Sequence, residues 1–502
     1  MQKLESVMTQ KVKMTIDGKH VEVDAGVTIF NAAKDIGIEI PHFCYHPKLS
    51  IAGNCRLCQV DVEGARAPVI SCRERVRDGM IVHVNSQKAA QLRKDVLEFI
   101  LINHPLDCPV CDQSGECKLQ DQYFDHSLQP SRMRYPKVHK PKAKPIGPYV
   151  VLDDERCVLC TRCIRFCDEI AKEHQLILCE RGDHSTIDVF PGKQLDNPYS
   201  LCTVDICPVG ALTSSDFRFQ KRVWFLKSTP SICTGCATGC NIWLDHDDGI
   251  AYRYRPRENE EVNECWMCDP GRMTYKRINA DERVLFPMKE VNGIYERISW
   301  ESATAEMATK LKTYQPSDIV GVLSVQQSLE ENMAALRFFK EVLKTSSIVW
   351  SGDEHDPSFA DDILRDHDRN PNTNGVKLLT QERFSEKSKG KVFVILGSLS
   401  DADEKRLISL KPEYVVLMTD IRNESIQPFA HLLLPRASHA EQEGTFVNRD
   451  GRWQRFSKAF DPKMESLPTW GILNHLASAF GSSFGYASAA EVLATGKKAI
   501  GL

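Results

Sequence analysis

The residues best equipped for chemistry in this 502-residue sequence are nineteen cysteines, all between Cys44 and Cys268. They fall into four groups. The first is Cys44-x10-Cys55-x2-Cys58-x13-Cys72, and the second, His104-x3-Cys108-x2-Cys111-x5-Cys117, adds one imidazole to three thiols. A third opens Cys157-x2-Cys160-x2-Cys163 and closes far away at Cys207-Pro208. The fourth opens Cys233-x2-Cys236-x3-Cys240 and closes at Cys268 or its near neighbour Cys265. The amino terminus lacks an apolar signal core, so a disulfide framework has little use here and dense, tightly spaced thiols read as metal ligands. Each group supplies the four donors that one iron–sulfur cluster needs.

The donors differ in what they offer. Four thiolates satisfy the two tetrahedral irons of a [2Fe–2S] centre, and Ala52 and Gly53 beside Cys55 allow close backbone approach. In the second group a neutral imidazole carries one negative charge fewer than a thiolate, which eases reduction of a cubane; a zinc site with one histidine and three cysteine ligands is the rival for the same four residues. The third group resembles a bacterial ferredoxin module, with three close thiols and one remote thiol before proline. Only Cys202 stands where a second such run would be needed, so one [4Fe–4S] cluster is expected, with Cys167, Cys179 and Cys202 as spare packed thiols.

These groups need elements to hold them. KVKMTIDGKHVEVDAG alternates as two strands around a turn at Asp17-Gly18, and a helix is expected from about Thr28 to Ile36, giving a β-grasp frame for the first group. An amphipathic helix over Ala89 to Ile102 leads into the second. Residues 131–148 are rich in proline, lysine and arginine and read as an extended linker, either a strap along an acidic partner or a solvated connector. Beyond residue 282, apolar runs at Ile319 to Val325, Val392 to Leu396 and Tyr414 to Met418 alternate with helical patterns such as Glu330 to Leu343, the pattern of a parallel α/β sheet.

Taken in order, CRLCQVDVEG, HPLDCPVCDQSGEC, CVLCTRCIRFCDEI and DICPVGALTS resemble the cluster motifs of the large iron–sulfur subunit of respiratory NADH:quinone oxidoreductase (complex I). The resemblance implies one [2Fe–2S] cluster on Cys44, Cys55, Cys58 and Cys72, and [4Fe–4S] clusters on His104, Cys108, Cys111 and Cys117, on Cys157, Cys160, Cys163 and Cys207, and on Cys233, Cys236, Cys240 and Cys268. It favours Cys268 over Cys265. It also implies a chain that passes single electrons from a flavin- and NADH-binding subunit through the Cys44, Cys157 and His104 clusters toward a quinone-side iron–sulfur subunit. The Cys233 cluster would lie off that route, and its presence points to a bacterium. AHLLLPRASHAEQEGTFVNRDGRWQ resembles the molybdopterin oxidoreductases in degenerate form.

The expected fold is therefore multidomain α+β and α/β. It comprises a [2Fe–2S] β-grasp domain (11–88), a [4Fe–4S] domain with one histidine and three cysteine ligands (89–128), a ferredoxin-like [4Fe–4S] domain (149–222), a molybdopterin-oxidoreductase-type [4Fe–4S] domain (226–282) and a truncated molybdopterin-oxidoreductase-like α/β domain (283–502). No cysteine after Cys268 can bind molybdenum, so neither molybdopterin nor a substrate-level active site is expected. No dinucleotide fingerprint or phosphate loop appears, so NADH and flavin should bind elsewhere. A net charge of −4 gives no pull toward nucleic acid, and no apolar run is long enough to span a bilayer. The resemblance places the chain on the cytoplasmic side of a bacterial inner membrane, in the peripheral arm of a membrane complex. The alternative is the large subunit of an NAD-linked formate dehydrogenase or hydrogenase complex.

Overall fold

The computed structural model describes residues 10–422 and 429–501, which fall into two units divided between Trp224 and Phe225.

In the first unit the expected hairpin forms. β1 (Lys11–Ile16) pairs antiparallel with β2 (Lys19–Asp24), and Asp17 and Gly18 at the turn both take positive φ. Alternation sends Val12, Met14, Ile16, Val21 and Val23 inward, where they pack with α1 (Ile29–Asp35), capped by the Thr28 hydroxyl accepting from the Asn31 amide. β3 (Gln59–Val62), β4 (Val69–Ile70) and β5 (Ile81–His83) complete a five-stranded sheet in the order β2-β1-β5-β3-β4. The β3–β4 hairpin carries the chain from Cys58 to Cys72, so the sheet sets the separation of those two thiols.

Helix α2 (Gln87–Leu101) follows, capped by Ser86, and ends just before His104; α3 (Lys118–His126) starts directly after Cys117. β6 (Lys144–Pro145), β7 (Val150–Leu152) and β10 (Leu212–Ser214) form a three-stranded sheet, with α4 (Arg162–Glu169) and the hairpin of β8 (Leu176–Cys179) and β9 (Thr186–Val189) between them in sequence.

Several cations of the basic segment 131–148 are bound within their own unit, while residues 131–136 are exposed. Lys137 donates to the carbonyls of Leu101 and Ile102, Lys142 pairs with Asp107 and Glu155, Lys144 with Asp188 and Arg132 with Glu98. Its cations find carboxylates and helix-end carbonyls of their own unit, which pins it beside the second cysteine group.

The second unit begins with β11 (Lys227–Ile232), β12 (Asn241–Asp247) and β13 (Ile250–Pro256), an antiparallel meander around the fourth cysteine group. A hairpin of β14 (Met288–Val291) and β15 (Ile294–Arg297) then joins the edge of a parallel sheet of β16 (Ile319–Ser324), β17 (Ser347–Ser351), β18 (Val392–Leu396), β19 (Tyr414–Thr419) and β20 (Leu432–Pro435). Their spatial order, β17-β16-β18-β19-β20, is that of a doubly wound fold, and the central strands are buried along their whole length as such a fold requires. The helical pattern from Glu330 appears as a helix, Leu329–Arg337, that widens into a π-helical turn at Phe338–Val342.

Buried ion pairs tie this sheet together. Arg436 bridges Glu331 and Asp420, Asp420 also takes Arg277, and Arg283 pairs with Glu441. Burial pushes the Asp420 carboxyl up, but Arg277, Arg436 and Arg283 outweigh that and hold it well below the usual carboxylate range.

Candidate iron–sulfur sites

The first group folds into two sulfur pairs. The Cys55 thiol donates to the Cys44 sulfur, which pulls Cys44 down to about 5 and holds Cys55 up; Cys72 donates to Cys58 in the same way, taking Cys58 down to about 7. Two pairs of thiolates are what two irons sharing bridging sulfides would take. The Phe43 amide points at the Cys55 sulfur at 3.5 Å. Gly53 has φ +64°, and a methyl group there would meet Ile70 at 3.1 Å, so the loop before Cys55 has room for little but glycine.

In the second group, burial pulls His104 down to about 4, helped by Arg156, Lys137 and Lys142 against the opposing pull of Asp107. The imidazole is therefore neutral at pH 7 and keeps a lone pair for a metal. Cys111 and Cys117 are buried, and burial pushes both thiols up. A methyl group on Gly210, which lies in the loop of the third group, would sit 2.6 Å from the Cys111 sulfur, so the two groups meet there across bare backbone. The second group opens onto a cavity of about 1000 Å³ walled by Phe99, Leu106, Tyr123 and Phe124. Replacing His104 by Ala should change the spectrum and potential of one cubane and leave the [2Fe–2S] signal untouched; unchanged spectra would remove His104 from the site.

The third group lines an apolar cavity with Leu152, Val158, Ile187, Pro208 and Val209. Cys157, Cys160, Cys163 and the distant Cys207 all face it. Burial pushes all four thiols up, Cys160 to about 11, so four thiolates here need a bound positive centre to stay ionised. The Leu159 amide points at the Cys157 sulfur at 3.4 Å. Of the spare thiols, Cys167 and Cys202 are buried, whereas Cys179 is only partly covered.

In the fourth group the Cys233 amide donates to the Cys240 carbonyl, closing the loop. Cys268 caps the short helix Asp269–Arg272, accepting from the Gly271 amide at 3.4 Å. A methyl group on Gly271 would touch the sulfurs of both Cys233 and Cys268, at 3.0 and 3.1 Å, so the structure brings Cys268 to the group. Cys265 is half-buried. Burial pushes Cys268 up to about 12.

The donor sets fit iron–sulfur clusters. Three observations carry that fit: thiols that burial alone would keep neutral, glycines that leave no room for a side chain against the sulfurs, and backbone amides aimed at sulfur. Among the described residues, no three His, Cys, Asp or Glu side chains converge tightly enough for a single ion. Sequence reasoning missed Gly210 and Gly271. Their signal is a common one, glycine three residues after the remote cysteine, in Cys207-x2-Gly210 and Cys268-x2-Gly271. It also missed the arginines between groups. Arg162 donates to the carbonyls of Tyr45 and Ile206, next to Cys44 and Cys207, and Arg165 to those of Cys44 and Cys160. Arg222 holds the Cys111 carbonyl at 2.6 Å.

In the second unit a cavity of about 360 Å³ at the carboxyl ends of β16 to β20 is lined by Gln326, Ser398, Asp420, Arg436 and His439. No cysteine faces it to bind molybdenum, and Asp420 and Arg436 are locked in ion pairs.

Family models match five stretches of the chain. Residues 9–87 match a 2Fe-2S iron-sulfur cluster binding domain, residues 93–132 the NADH-ubiquinone oxidoreductase-G iron-sulfur binding region, and residues 147–213 the ferredoxin-like domain of NADH-quinone oxidoreductase subunit 3. Residues 226–280 match the molybdopterin oxidoreductase Fe4S4 domain and residues 364–479 the molybdopterin oxidoreductase domain. Fold and sites together define an iron–sulfur protein joined to a molybdopterin-oxidoreductase-like α/β unit.

The chain is 39% identical over 331 residues to the NADH-quinone oxidoreductase G subunit of Rickettsia bellii, covering 66% of this chain and 48% of that protein. It is 40% identical over 354 residues to the G subunit of Streptomyces coelicolor (70% and 42%) and 41% identical over 327 residues to the mitochondrial NADH-ubiquinone oxidoreductase 78 kDa subunit of Neurospora crassa (64% and 44%). Over the aligned residues the chain is similar to the G subunits of NADH-quinone oxidoreductase and their mitochondrial counterparts. It spans less than half the length of these relatives. Among the described residues no helix is long and apolar enough to cross a membrane.

Proposed function

We propose that this chain relays single electrons within an NADH:quinone oxidoreductase, from a flavin- and NADH-binding subunit toward a quinone-side iron–sulfur subunit. Cys44, Cys55, Cys58 and Cys72 would hold one [2Fe–2S] cluster. Three [4Fe–4S] clusters would be held by His104, Cys108, Cys111 and Cys117, by Cys157, Cys160, Cys163 and Cys207, and by Cys233, Cys236, Cys240 and Cys268. Such clusters, when bound, take up one electron each with little change in geometry. Residues 11–88, 89–128, 149–222, 226–282 and 283–502 would be the modules of the chain, and the assembly would sit as a peripheral arm on the cytoplasmic face of a bacterial membrane.

One observation carries this reading. Cys44 and Cys55 of the first group, Cys117 of the second, and Cys157, Cys160 and Cys207 of the third all pack in one hydrophobic cluster with Phe43, Leu57, Leu97, Leu119, Val209 and Ala211. Independent structural metal sites have no need to share a core. Centres that exchange electrons must be held close in a dry, rigid medium, and a common core does that. The third group is the middle of the three. Arg162 and Arg165 connect it to the first, and the Gly210 loop brings it against the second.

In this reading the chain's residues bind, bury and orient the clusters. Metal analysis with low-temperature EPR on anaerobically purified, dithionite-reduced protein tests the reading. The expected result is about fourteen irons per chain, one [2Fe–2S] and three [4Fe–4S] signals and no molybdenum. Substantial molybdenum would favour the formate dehydrogenase alternative, and zinc without iron would end the electron-transfer reading.

A further inference from the structure

The joints between the three packed groups carry different charge. Between the second and third groups, Arg156 pairs with Asp107 at 2.8 Å and Asp153 at 3.2 Å, so its charge is matched by carboxylates. Between the first and third groups the pattern is the opposite. Arg162 donates to the carbonyl of Ile206 at 3.1 Å and to that of Tyr45, and its Nε is buried without a hydrogen-bond partner. Arg165 donates to the carbonyls of Cys44 at 2.6 Å and Cys160 at 3.2 Å, and to that of Ser50. Glu169, one turn further along α4, accepts from the Ser50 amide at 2.8 Å instead. Among the described residues no carboxylate lies within ion-pair distance of either guanidinium.

A charge removed from water without a counter-ion is costly, and a fold tolerates it when something else supplies the opposite sign. Arg162 reaches the carbonyls of Ile206 and Tyr45, the residues adjoining Cys207 and Cys44, and the charges acting on it are the sulfurs of Cys160, Cys207 and Cys44, opposed by Arg165. Four thiolates around a cluster leave a net negative charge, which grows by one on reduction.

Resting on the electron-relay reading, we propose that Arg162, supported by Arg165, is a positive seam whose counter-charges are the clusters of the Cys44 and Cys157 groups. It is a positioning residue that favours the reduced form of both clusters. The His104 group lies away from Arg162; the cations beside it are Arg156, paired with Asp107 and Asp153, and Arg222, which donates to the carbonyls of Cys111 and Pro109. The seam therefore makes the first two stations on the route hold an electron more readily than their ligands alone would.

The sign follows from Coulomb's law, since taking away a nearby positive charge destabilises whichever form carries more negative charge. Potentiometric titration monitored by EPR on the full-length, cluster-loaded protein tests the proposal with Arg162→Gln and Arg162→Lys. For Arg162→Gln the ratio of reduced to oxidised cluster at a fixed ambient potential should fall about tenfold at both the [2Fe–2S] and the Cys157 cluster, equal to 59 mV for one electron. The His104 and Cys233 clusters should not move. Arg162→Lys keeps the charge and loses the fork geometry, so it should hold both potentials near those of the wild type.

Unchanged potentials in a loaded Arg162→Gln protein would overturn the proposal, as would equal shifts in Gln and Lys. If Arg162→Gln fails to take up the two clusters, an Arg162→Lys protein that loads and titrates normally supports the seam, and one that also fails shows a mere structural strap. A wild-type protein that shows no iron–sulfur signals would instead sink the underlying reading.

Discussion

Replacing Cys160 by Ser is expected to remove one [4Fe–4S] signal, lower the iron content by about four per chain and cut electron flow through the assembled complex by orders of magnitude. The expectation comes from position as much as from chemistry. Cys160 is buried at 8% exposure, lies in the core shared by three groups, and its carbonyl is held by Arg165 together with that of Cys44. Losing the middle station should leave the [2Fe–2S] cluster reducible from the flavin side and the His104 cluster isolated from it. Rapid-freeze EPR after mixing with NADH would separate the two. Prompt reduction of the His104 cluster in the variant would show that the third group is not on the path.

A second large effect is expected in the other unit. Asp420→Asn breaks a buried carboxylate that Arg277 and Arg436 each reach at 3.0 Å, and Arg436 is left with Glu331 alone. Removing one partner of a buried pair costs about 3–5 kcal/mol, because the remaining charge is stranded. Denaturant unfolding of the second unit's signal at pH 7 should show a loss of that size, and a loss under about 1 kcal/mol would mean that the arginines find other partners. The native pKa of Asp420 lies below its unfolded value, so its stabilisation is complete above the unfolded pKa of about 3.9 and fades as pH falls toward the native one. Acidification below about pH 4 should therefore erode wild-type stability, and Asp420→Asn should be less sensitive over that range.

Much of the site was readable from spacing. A Cys-x2-Cys pair constrains both thiols within one tight loop, so Cys55 with Cys58 and Cys157 with Cys160 declare themselves without reference to the rest of the chain. The hairpin at Asp17-Gly18, the helix before His104 and the buried strands of the α/β unit were equally visible, because alternation and continuous apolar runs are local consequences of which faces are covered. The basic segment 131–148 was not. Composition alone leaves a lysine's partner open, and only the fold sets Lys142 against Asp107 and Glu155.

By itself, then, the sequence determined the candidate donors, their grouping, the local loops and the proteins they resemble. Tertiary structure decided what joins across distance: the pairing of Cys44 with Cys55 and Cys58 with Cys72, the arrival of Cys207 and Cys268 at their loops, and the unmatched guanidinium of Arg162 beside Cys44 and Cys207. It also decided that three groups share one core. The physical reason is range. Loop geometry is set by a few neighbouring dihedrals and written in adjacent residues, whereas the meeting of distant segments depends on which apolar surfaces bury one another, a property of the whole packed unit.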